Sequence, residues 1–311
     1  MSERVLITGA TGCIGSATVT WLRENGFDDI VAFTRSGKSE STEAIAGDIS
    51  DRSAVEKAVS TVRPSRIIHL AAFQSPDCQA NPFRGLEINV HGTHFLLEAA
   101  AKLGSGHLKR FVFASSAAVY GPRSLYPGKT VTEDCGLQPP NLYGYWKVAG
   151  EGAAQAFHLE SDVPTLSLRL ATTYGPGRDL GLTSAPTTAL KHAARGEDFA
   201  MPYVGREHYH FVDDVGAAFA ISAVEEFSGG CEAYNLRGQS METTEFLSEI
   251  QSVAREMGLP ESKLSTAPDA FEALFVCDLD QTRISASFPE MPETAIREGI
   301  RKSLQHFQKS R

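Results

Sequence analysis

The stretch ITGATGCIGS, residues 7–16, places three glycines at intervals of three directly after an apolar run. These are Gly9, Gly12 and Gly15, and the residues that follow, up to Gly26, have the apolar spacing of a helix. A glycine-rich turn between a strand and a helix permits a tight bend, lets the backbone approach a pyrophosphate, and brings helix and strand into close contact. The unpaired N–H groups at the helix start attract phosphate. The stretch therefore predicts a dinucleotide-binding turn.

From this turn onward, strand-like and helix-like segments alternate along residues 1–172. This alternation is typical of an α/β fold with a doubly wound parallel (Rossmann) sheet, and we assign 1–172 to a dinucleotide-binding domain. The later segments are shorter, so we assign 173–311 to a smaller C-terminal substrate-binding cap. We expect about 205–240, which contains one more helix and strand, to return to the main sheet.

Composition excludes several classes of function. The chain has 311 residues, 42% hydrophobic and 22% charged, with a formal net charge of −9. An acidic balance argues against a nucleic-acid partner, because phosphate binding needs a basic face. No apolar stretch approaches the roughly 18 residues of a membrane-spanning helix. The five cysteines lack metal-type or redox-type spacing. We therefore expect a cytoplasmic protein with a small-molecule substrate and without a metal, nucleic-acid or membrane partner.

A second pattern indicates chemistry. Tyr143 and Lys147, in NLYGYWK, are four residues apart and share one face of a predicted helix. The serines of FASSAAVYG end a predicted strand just before, where parallel sheets open onto a ligand crevice. A phenol with a pKa of about 10 is a weak base at neutral pH, but a nearby ammonium favours its phenolate. The alternative is an ordinary amphipathic helix pair; the glycine turn and the serine strand favour catalysis.

The roles follow from the residue types. Tyr143 exchanges a proton with a substrate oxygen while a nicotinamide exchanges hydride, and Lys147 orients the ribose and lowers the pKa of Tyr143. Ser116 hydrogen-bonds the reacting oxygen, and Ser115 is the weaker candidate for that role.

The glycine spacing G-x-x-G-x-x-G, together with four further motifs, resembles the extended branch of the short-chain dehydrogenase/reductase superfamily, the NAD-dependent epimerase/dehydratase family. The motifs are GDISD, HLAA, INVHGTHFLLEAA and RLATTYGPGR, and the resemblance runs from residue 4 to about 240. It implies Asp48 near the adenine ring, Ala71 and Ala72 under the cofactor, and Asn89 in the central helix. It also implies a homodimer formed by the helices at about 85–103 and 143–160.

The candidate site residues form three sets. The catalytic set is Ser116, Tyr143 and Lys147. The cofactor-binding set is Gly9, Thr11, Gly12, Cys13, Ile14, Gly15, Arg35, Asp48, Ile49, Leu70, Ala71, Ala72, Asn89, Tyr143 and Lys147. The substrate set is Phe73, Ser115, Ala117, Thr172, Arg178 and His210.

The end of the second strand bears on the cofactor. An acid there accepts the ribose hydroxyls of NAD, but this strand ends AFTRSGK, with Thr34 at or next to the acid's position and Arg35 after it. A guanidinium matches phosphate geometry, which favours NADP. The alternative is that Arg35 stacks on the adenine and NAD binds.

The neighbourhood of Ser116 and the cap restrict the reaction. Family members that dehydrate or decarboxylate sugars carry acids where this chain has Ala117 and Ala118, which leaves alcohol–ketone interconversion or epimerisation. Thr172 and Glu207 stand where nucleotide-sugar enzymes carry an asparagine and a phosphate-binding arginine. We therefore predict an NAD(P)-dependent oxidoreductase acting on a sugar, sugar acid or polyol. The alternatives are a sugar or nucleotide-sugar epimerase and a non-catalytic cofactor sensor.

Overall fold

The computed structural model describes residues 3–126, 128, 130–273 and 276–309. Its strands, in chain order, are β1 (Val5–Thr8), β2 (Ile30–Thr34), β3 (Glu43–Ala46), β4 (Arg66–His69), β5 (Arg110–Ser116), β6 (Thr165–Leu170), β7 (Thr172–Tyr174), β8 (Phe199–Val204), β9 (Arg206–Phe211), β10 (Cys231–Asn235), β11 (Gln239–Glu242) and β12 (Leu264–Glu272).

The helices are α1 (Cys13–Glu24), α2 (Arg52–Val62), α3 (Ser75–Ala80), α4 (Pro82–Leu86), α5 (Gly92–Ala101), α6 (Leu142–Ser161), α7 (Ala185–Arg195), α8 (Val212–Val224), α9 (Thr243–Glu256), α10 (Thr282–Ser287) and α11 (Ile296–Lys309). In the part of the chain that the structure describes, none of these helices is long and apolar enough to cross a lipid bilayer.

Seven parallel strands form the central sheet, in the order β10-β6-β5-β4-β1-β2-β3. β1 is buried along its whole length and pairs on both sides, with Ile7 opposite Ala32 of β2 and Ile68 of β4. Apolar side chains alternate between two cores, one against α1 and α8 and the other against α2, α5 and α6. The predicted doubly wound sheet is confirmed.

The cap contains a three-stranded sheet, β11-β9-β7, and a two-stranded sheet, β12-β8. A third core fills it, with Tyr174, Tyr203 and Phe246 against α7, α9 and α11. Cys13 and Ala17 of α1 pack against this core. The helix that follows the glycine turn therefore contacts both the main sheet and the cap. Within residues 205–240, β9 belongs to the three-stranded sheet and β10 to the main sheet.

The central helix differs from its sequence-based prediction. The sequence predicts one helix over residues 81–103, whereas the structure has α4 and α5 joined by a π-helical turn, Glu87–His91. Asn89 lies inside this turn and is buried. A π turn adds one residue to a helical turn and often accompanies a functional position.

Candidate active site

The glycine turn between β1 and α1 has the shape that its sequence predicts. Gly9 has φ +73°, and a Cβ built on it lies 2.8 Å from the Ala71 nitrogen. A Cβ on Gly15 lies 2.3 Å from the Gly9 oxygen, so β1 and α1 meet at a distance that excludes a side chain. Gly12, the N-cap of α1, has no side-chain cap. The first-turn N–H groups of α1 thus fit a pyrophosphate.

The other predicted residues of this turn lie at its mouth. Thr11 is exposed, and Cys13 and Ile14 are half-buried in the first turn of α1.

A buried chain of hydrogen bonds connects β1, β4 and the central helix beneath the glycine turn. The Ala71 N–H donates to Thr8 Oγ1 at 3.1 Å, and Thr8 Oγ1 is 2.6 Å from His69 Nδ1. On the other side, His69 Nε2 is 3.0 Å from Thr93 Oγ1, which donates to the Asn89 carbonyl at 2.8 Å. This pattern assigns the proton of His69 to Nε2. Burial lowers the pKa of His69 to about 3, so the ring is neutral.

Asn89, predicted as a cofactor residue, holds the loop that follows β4. Its Oδ1 accepts from the Phe73 N–H at 2.7 Å, and its Nδ2 donates to the Phe73 carbonyl at 2.9 Å. This pair of bonds fixes the backbone of residues 70–74, which carries Leu70, Ala71 and Ala72. Asn89 therefore acts through the loop backbone.

The ends of β2 and β3 present opposite charges. Thr34 is buried, and Arg35, which follows it, is exposed. Asp48 accepts from Arg84 Nη2 at 2.6 Å and from the Ser50 N–H at 2.9 Å. Partial burial raises the pKa of Asp48, but these hydrogen bonds outweigh it and leave the pKa below its ordinary value. Ile49, the next residue, is buried, its side chain close to Gly92 at the start of α5.

Helix α6 meets the carboxyl end of β5 through Tyr143, Lys147 and Glu151, which are one turn apart. The Ser116 hydroxyl faces the Tyr143 phenol, Lys147 Nζ donates to the Ala114 carbonyl at 2.6 Å, and Ser115 Oγ donates to Glu151 Oε1 at 2.5 Å. We call these three contacts the α6–β5 contact row. Three turns of the helix thus engage three consecutive residues of the strand.

The helix approaches this closely because of its small residues. A Cβ on Gly144 lies 2.2 Å from the Ala118 carbonyl oxygen, and one on Gly150 lies 2.3 Å from the Phe113 ring. Ala117 is buried beside this contact, after Ser116 has capped the short turn by accepting from the Ala118 N–H at 3.1 Å.

Burial dominates the protonation of the predicted acid/base pair. It raises the pKa of Tyr143 to about 12, against the opposing effects of the Ser116 hydroxyl and the Arg178 guanidinium. It lowers the pKa of Lys147 to about 8. Lys147 Nζ lies 5.5 Å from the Tyr143 ring centroid. Lys147 Nζ also donates to the Ala114 carbonyl, so burial is the main cause of the raised Tyr143 pKa.

Arg178 lies between the phenol and the glycine turn. Its guanidinium donates to Thr183 Oγ1 at 2.7 Å and Gln74 Oε1 at 3.3 Å. Its charge opposes the burial that raises the pKa values of Tyr143 and Cys13. A Cβ on Gly177 lies 3.3 Å from the Cys13 Cβ, so the loop that carries Arg178 rests on the start of α1.

A caged carboxylate lies deeper in the cap. Glu207 is fully buried; Thr172 Oγ1 donates to its Oε2 at 2.6 Å and the Tyr209 hydroxyl to its Oε1 at 2.8 Å. The Tyr203 hydroxyl is a third donor. Burial raises the pKa of Glu207 against these three hydrogen bonds.

The model of the NAD dependent epimerase/dehydratase family matches residues 5–236, most of the chain. The chain belongs to this family. UDP-glucose 4-epimerase from Mycolicibacterium smegmatis is 30% identical over 322 residues, covering 98% of each chain. The 3-diazoavenalumate denitrifying reductase of a Streptomyces species is 34% identical over 239 residues, covering 73% of this chain and 74% of its own.

Among solved structures, the UDP-glucose 4-epimerase of Thermus thermophilus in complex with NAD has a TM-score of 0.81 and 26% identity. The alignment covers 99% of this chain and 100% of that one. Membership in the NAD dependent epimerase/dehydratase family makes this protein an enzyme, of the epimerase or dehydrogenase type.

The structure gathers some of the predicted substrate residues of this family member and separates others. Arg178 lies close enough to Tyr143 to oppose the rise of its pKa, and the Phe73 backbone is held by Asn89. Ser115 points to Glu151, on the other side of β5 from Ser116, because side chains alternate along a strand. Thr172 bonds to Glu207 within the cap.

His210 is also engaged inside the protein. Its Nε2 accepts from the Ala171 N–H at 2.9 Å and its Nδ1 donates to the Arg237 carbonyl at 2.6 Å. Burial lowers the pKa of His210 to about 3, so the ring stays neutral. Within the described ranges, no three His, Cys, Asp or Glu side chains gather as metal ligands.

Three residues near the site, His69, Cys78 and Glu151, are not among the residues predicted from the sequence. His69 and Cys78 are buried beside Lys147, and Cys78 Sγ contacts the Phe73 carbonyl at 3.2 Å. Glu151 has a detectable signal, since it continues the four-residue spacing of Tyr143 and Lys147. Cys78 has none, because its position depends on how α3 packs.

Proposed function

We propose that this enzyme interconverts an alcohol and a ketone on a small carbohydrate-like substrate by transferring hydride to or from NAD(P). The observation that carries the proposal is the α6–β5 contact row, where Ser116, Tyr143 and Lys147 meet at the carboxyl end of β5. In a doubly wound sheet this end faces the ligand crevice, and the glycine turn opens on the same side. A proton carrier and a dinucleotide turn thus share one cleft.

The chemistry follows from the side chains. Nicotinamide, when bound, supplies or accepts the hydride. Ser116 donates a hydrogen bond to the substrate oxygen, and Tyr143 gives that oxygen a proton during reduction or removes one during oxidation. Because the pKa of Tyr143 is about 12, the phenol is protonated at neutral pH and suited to donate. The Lys147 ammonium binds the ribose and stabilises the phenolate as the proton leaves.

One residue supports an acidic substrate. The hydrogen-bond partners of Arg178, Gln74 and Thr183, are neutral, so its charge is available to a carboxylate. Glu207 takes no part in this selection, because it is fully buried and bonded by the Thr172 and Tyr209 hydroxyls. A sugar acid therefore fits Arg178 better than a neutral sugar or polyol.

The second candidate function is epimerisation through a transient ketone, and the similarity to UDP-glucose 4-epimerases favours it. A screen of polyols, aldoses, sugar acids and nucleotide sugars with NAD(P) separates the two functions. We expect net formation of reduced cofactor with a sugar acid. Interconversion of a UDP-sugar without net reduction would establish the epimerase and contradict the proposal.

We infer that NADP is the preferred cofactor, with NAD as the alternative. The exposed Arg35 is placed to pair with a 2′-phosphate after β2, where the buried Thr34 replaces an acid. Arg35→Ala should weaken NADPH binding about tenfold or more, as expected for the loss of a charge-assisted hydrogen bond, and leave NADH binding nearly unchanged. Fluorescence titration measures both affinities. An NADH preference that persists in the wild type and in Arg35→Ala contradicts this inference.

We also infer a homodimer formed through α6. The solvent side of this helix carries an apolar stripe at alternating intervals of three and four residues: Leu142, Tyr145, Ala149, Gly152, Ala156 and Leu159. Such a stripe suits packing against a second helix.

The test places a charge on the stripe far from the catalytic pair. Leu159→Glu should shift the protein to monomer in sedimentation velocity. The matched control is Leu180→Glu, since both leucines are 75% exposed and Leu180 lies in the loop after β7. Equal behaviour of the two variants contradicts a dimer through α6.

A further inference from the structure

The catalytic lysine has an electrostatic problem that the proposed function does not solve. Lys147 is buried, with 3% of its surface exposed, and burial disfavours its ammonium. The hydrogen bond that it makes to the Ala114 carbonyl provides no opposite charge. Only the charged form attracts the ribose and stabilises a phenolate, so a carboxylate near Lys147 would favour the form that its proposed role requires.

The titratable groups that face Lys147 come from three elements. On α6 they are Tyr143 and Glu151, on β4 the neutral His69, and on α3 the Cys78 thiol. Burial raises the pKa of Cys78 to about 11, so the thiol carries no charge at neutral pH. Among the described groups that act on Lys147, Glu151 therefore supplies the negative charge.

Glu151 is held in place from two sides. Arg169 forms a two-bond ion pair with it, with Nε at 2.9 Å from Oε1 and Nη2 at 2.8 Å from Oε2. Ser115 Oγ donates to Oε1 at 2.5 Å. Arg169 is itself buried and is fixed by the Tyr120 hydroxyl at 2.6 Å and the Glu133 carbonyl. The carboxylate is thus fixed one helical turn beyond Lys147.

We propose that Glu151 is a positioning residue for the catalytic lysine: its carboxylate, fixed by Ser115 and Arg169, keeps the Lys147 ammonium charged and seated on β5. The tandem serines then have separate tasks. Ser116 serves the substrate oxygen, while Ser115 orients the carboxylate behind the lysine. The inference rests on the role proposed for Lys147.

The test is a direct titration of Lys147 by NMR in protein labelled at the lysine Cε, with the signal assigned by its loss in Lys147→Met. Glu151→Gln keeps the hydrogen bond from Ser115 and removes the charge. We expect the midpoint of Lys147 to fall by about one pH unit. Glu151→Asp should restore part of this fall. The matched control is Glu133→Gln, which neutralises another buried carboxyl of the same network, and it should leave the midpoint unchanged.

Glu151→Gln leaves Arg169 without its carboxylate, so this variant risks misfolding. The double variant Glu151→Gln/Arg169→Met removes both charges and should show a smaller fall of the midpoint, because the Arg169 guanidinium no longer disfavours the ammonium. A midpoint unmoved in both variants, or moved equally by Glu133→Gln, overturns the proposal. The titration needs no substrate, so a lowered midpoint in a protein that oxidises no alcohol would support Glu151 and reject the proposed function alone.

Discussion

Tyr143→Phe lowers kcat about a hundredfold to ten-thousandfold, the range for loss of a positioned general acid, and leaves dinucleotide binding unchanged. In the proposed mechanism the phenol oxygen exchanges a proton with the substrate, and Tyr143→Phe removes that oxygen but keeps the ring, whose centroid lies 5.5 Å from Lys147 Nζ. Steady-state rates and fluorescence titration with NAD(P)H measure the two quantities separately.

The matched control for this prediction is Tyr145→Phe. Tyr145 is on the same helix but 57% exposed, on the far side from Ser116. It should retain wild-type rates. A Tyr143→Phe variant with more than about a tenth of the wild-type rate would show that another group carries the proton, because general acid–base catalysis accounts for at least a hundredfold.

The second prediction is that alanine substitutions at two glycines of the same turn, Gly15 and Gly12, have different effects on stability. Gly15→Ala places a methyl group 2.3 Å from the Gly9 oxygen and 2.6 Å from the Ala10 Cα, and both are backbone atoms that cannot move aside without opening the turn. We expect it to lower the free energy of unfolding by about 1–3 kcal/mol or more, as for an overpacked core, and to weaken dinucleotide binding.

Gly12→Ala should behave differently. Its methyl group lies 3.4 Å from the Gly9 oxygen, so the free protein accommodates it. The methyl group does occupy the N-terminal end of α1 where phosphate oxygens approach. We expect a nearly unchanged melting temperature with an affinity for NAD(P)H at least about tenfold lower, the equivalent of one lost hydrogen bond. Thermal unfolding and titration of both variants check this; equal destabilisation by the two alanines would contradict it.

Sequence predicts local chemistry in this protein well. The glycine turn can be predicted from the sequence because close contact between backbone segments requires glycine at fixed intervals. The shared face of Tyr143 and Lys147 can be predicted because residues four apart on a helix are neighbours. The alternation of strand-like and helix-like segments predicts the parallel sheet, because strands linked by helices are buried on both faces and read as continuous apolar runs.

What the sequence leaves open depends on distant segments. Ser115 and Ser116 are the same residue type, so the sequence does not distinguish their roles. In the structure the Ser115 hydroxyl bonds to Glu151, whereas the Ser116 hydroxyl faces Tyr143. Glu207 reads as a repulsive carboxylate, but three hydroxyl groups from β7, β8 and β9 enclose it. The sequence predicts His210 as a substrate residue. In the structure both of its ring nitrogens bond to the backbone, one to the Ala171 N–H and the other to the Arg237 carbonyl.

The π-helical turn at Glu87–His91 absorbs a change in chain length that the regular helix on either side would not. Because a π turn holds one residue more than an α turn, deleting one residue there would restore ordinary helical hydrogen bonds and leave α5 in nearly its present orientation. The same deletion at the start of α5 would rotate the residues beyond it by about 100° and turn Leu96 and Leu97, now buried, away from the sheet. A one-residue deletion in the π turn should therefore cost this enzyme the contacts of Asn89 with the loop after β4 rather than its fold.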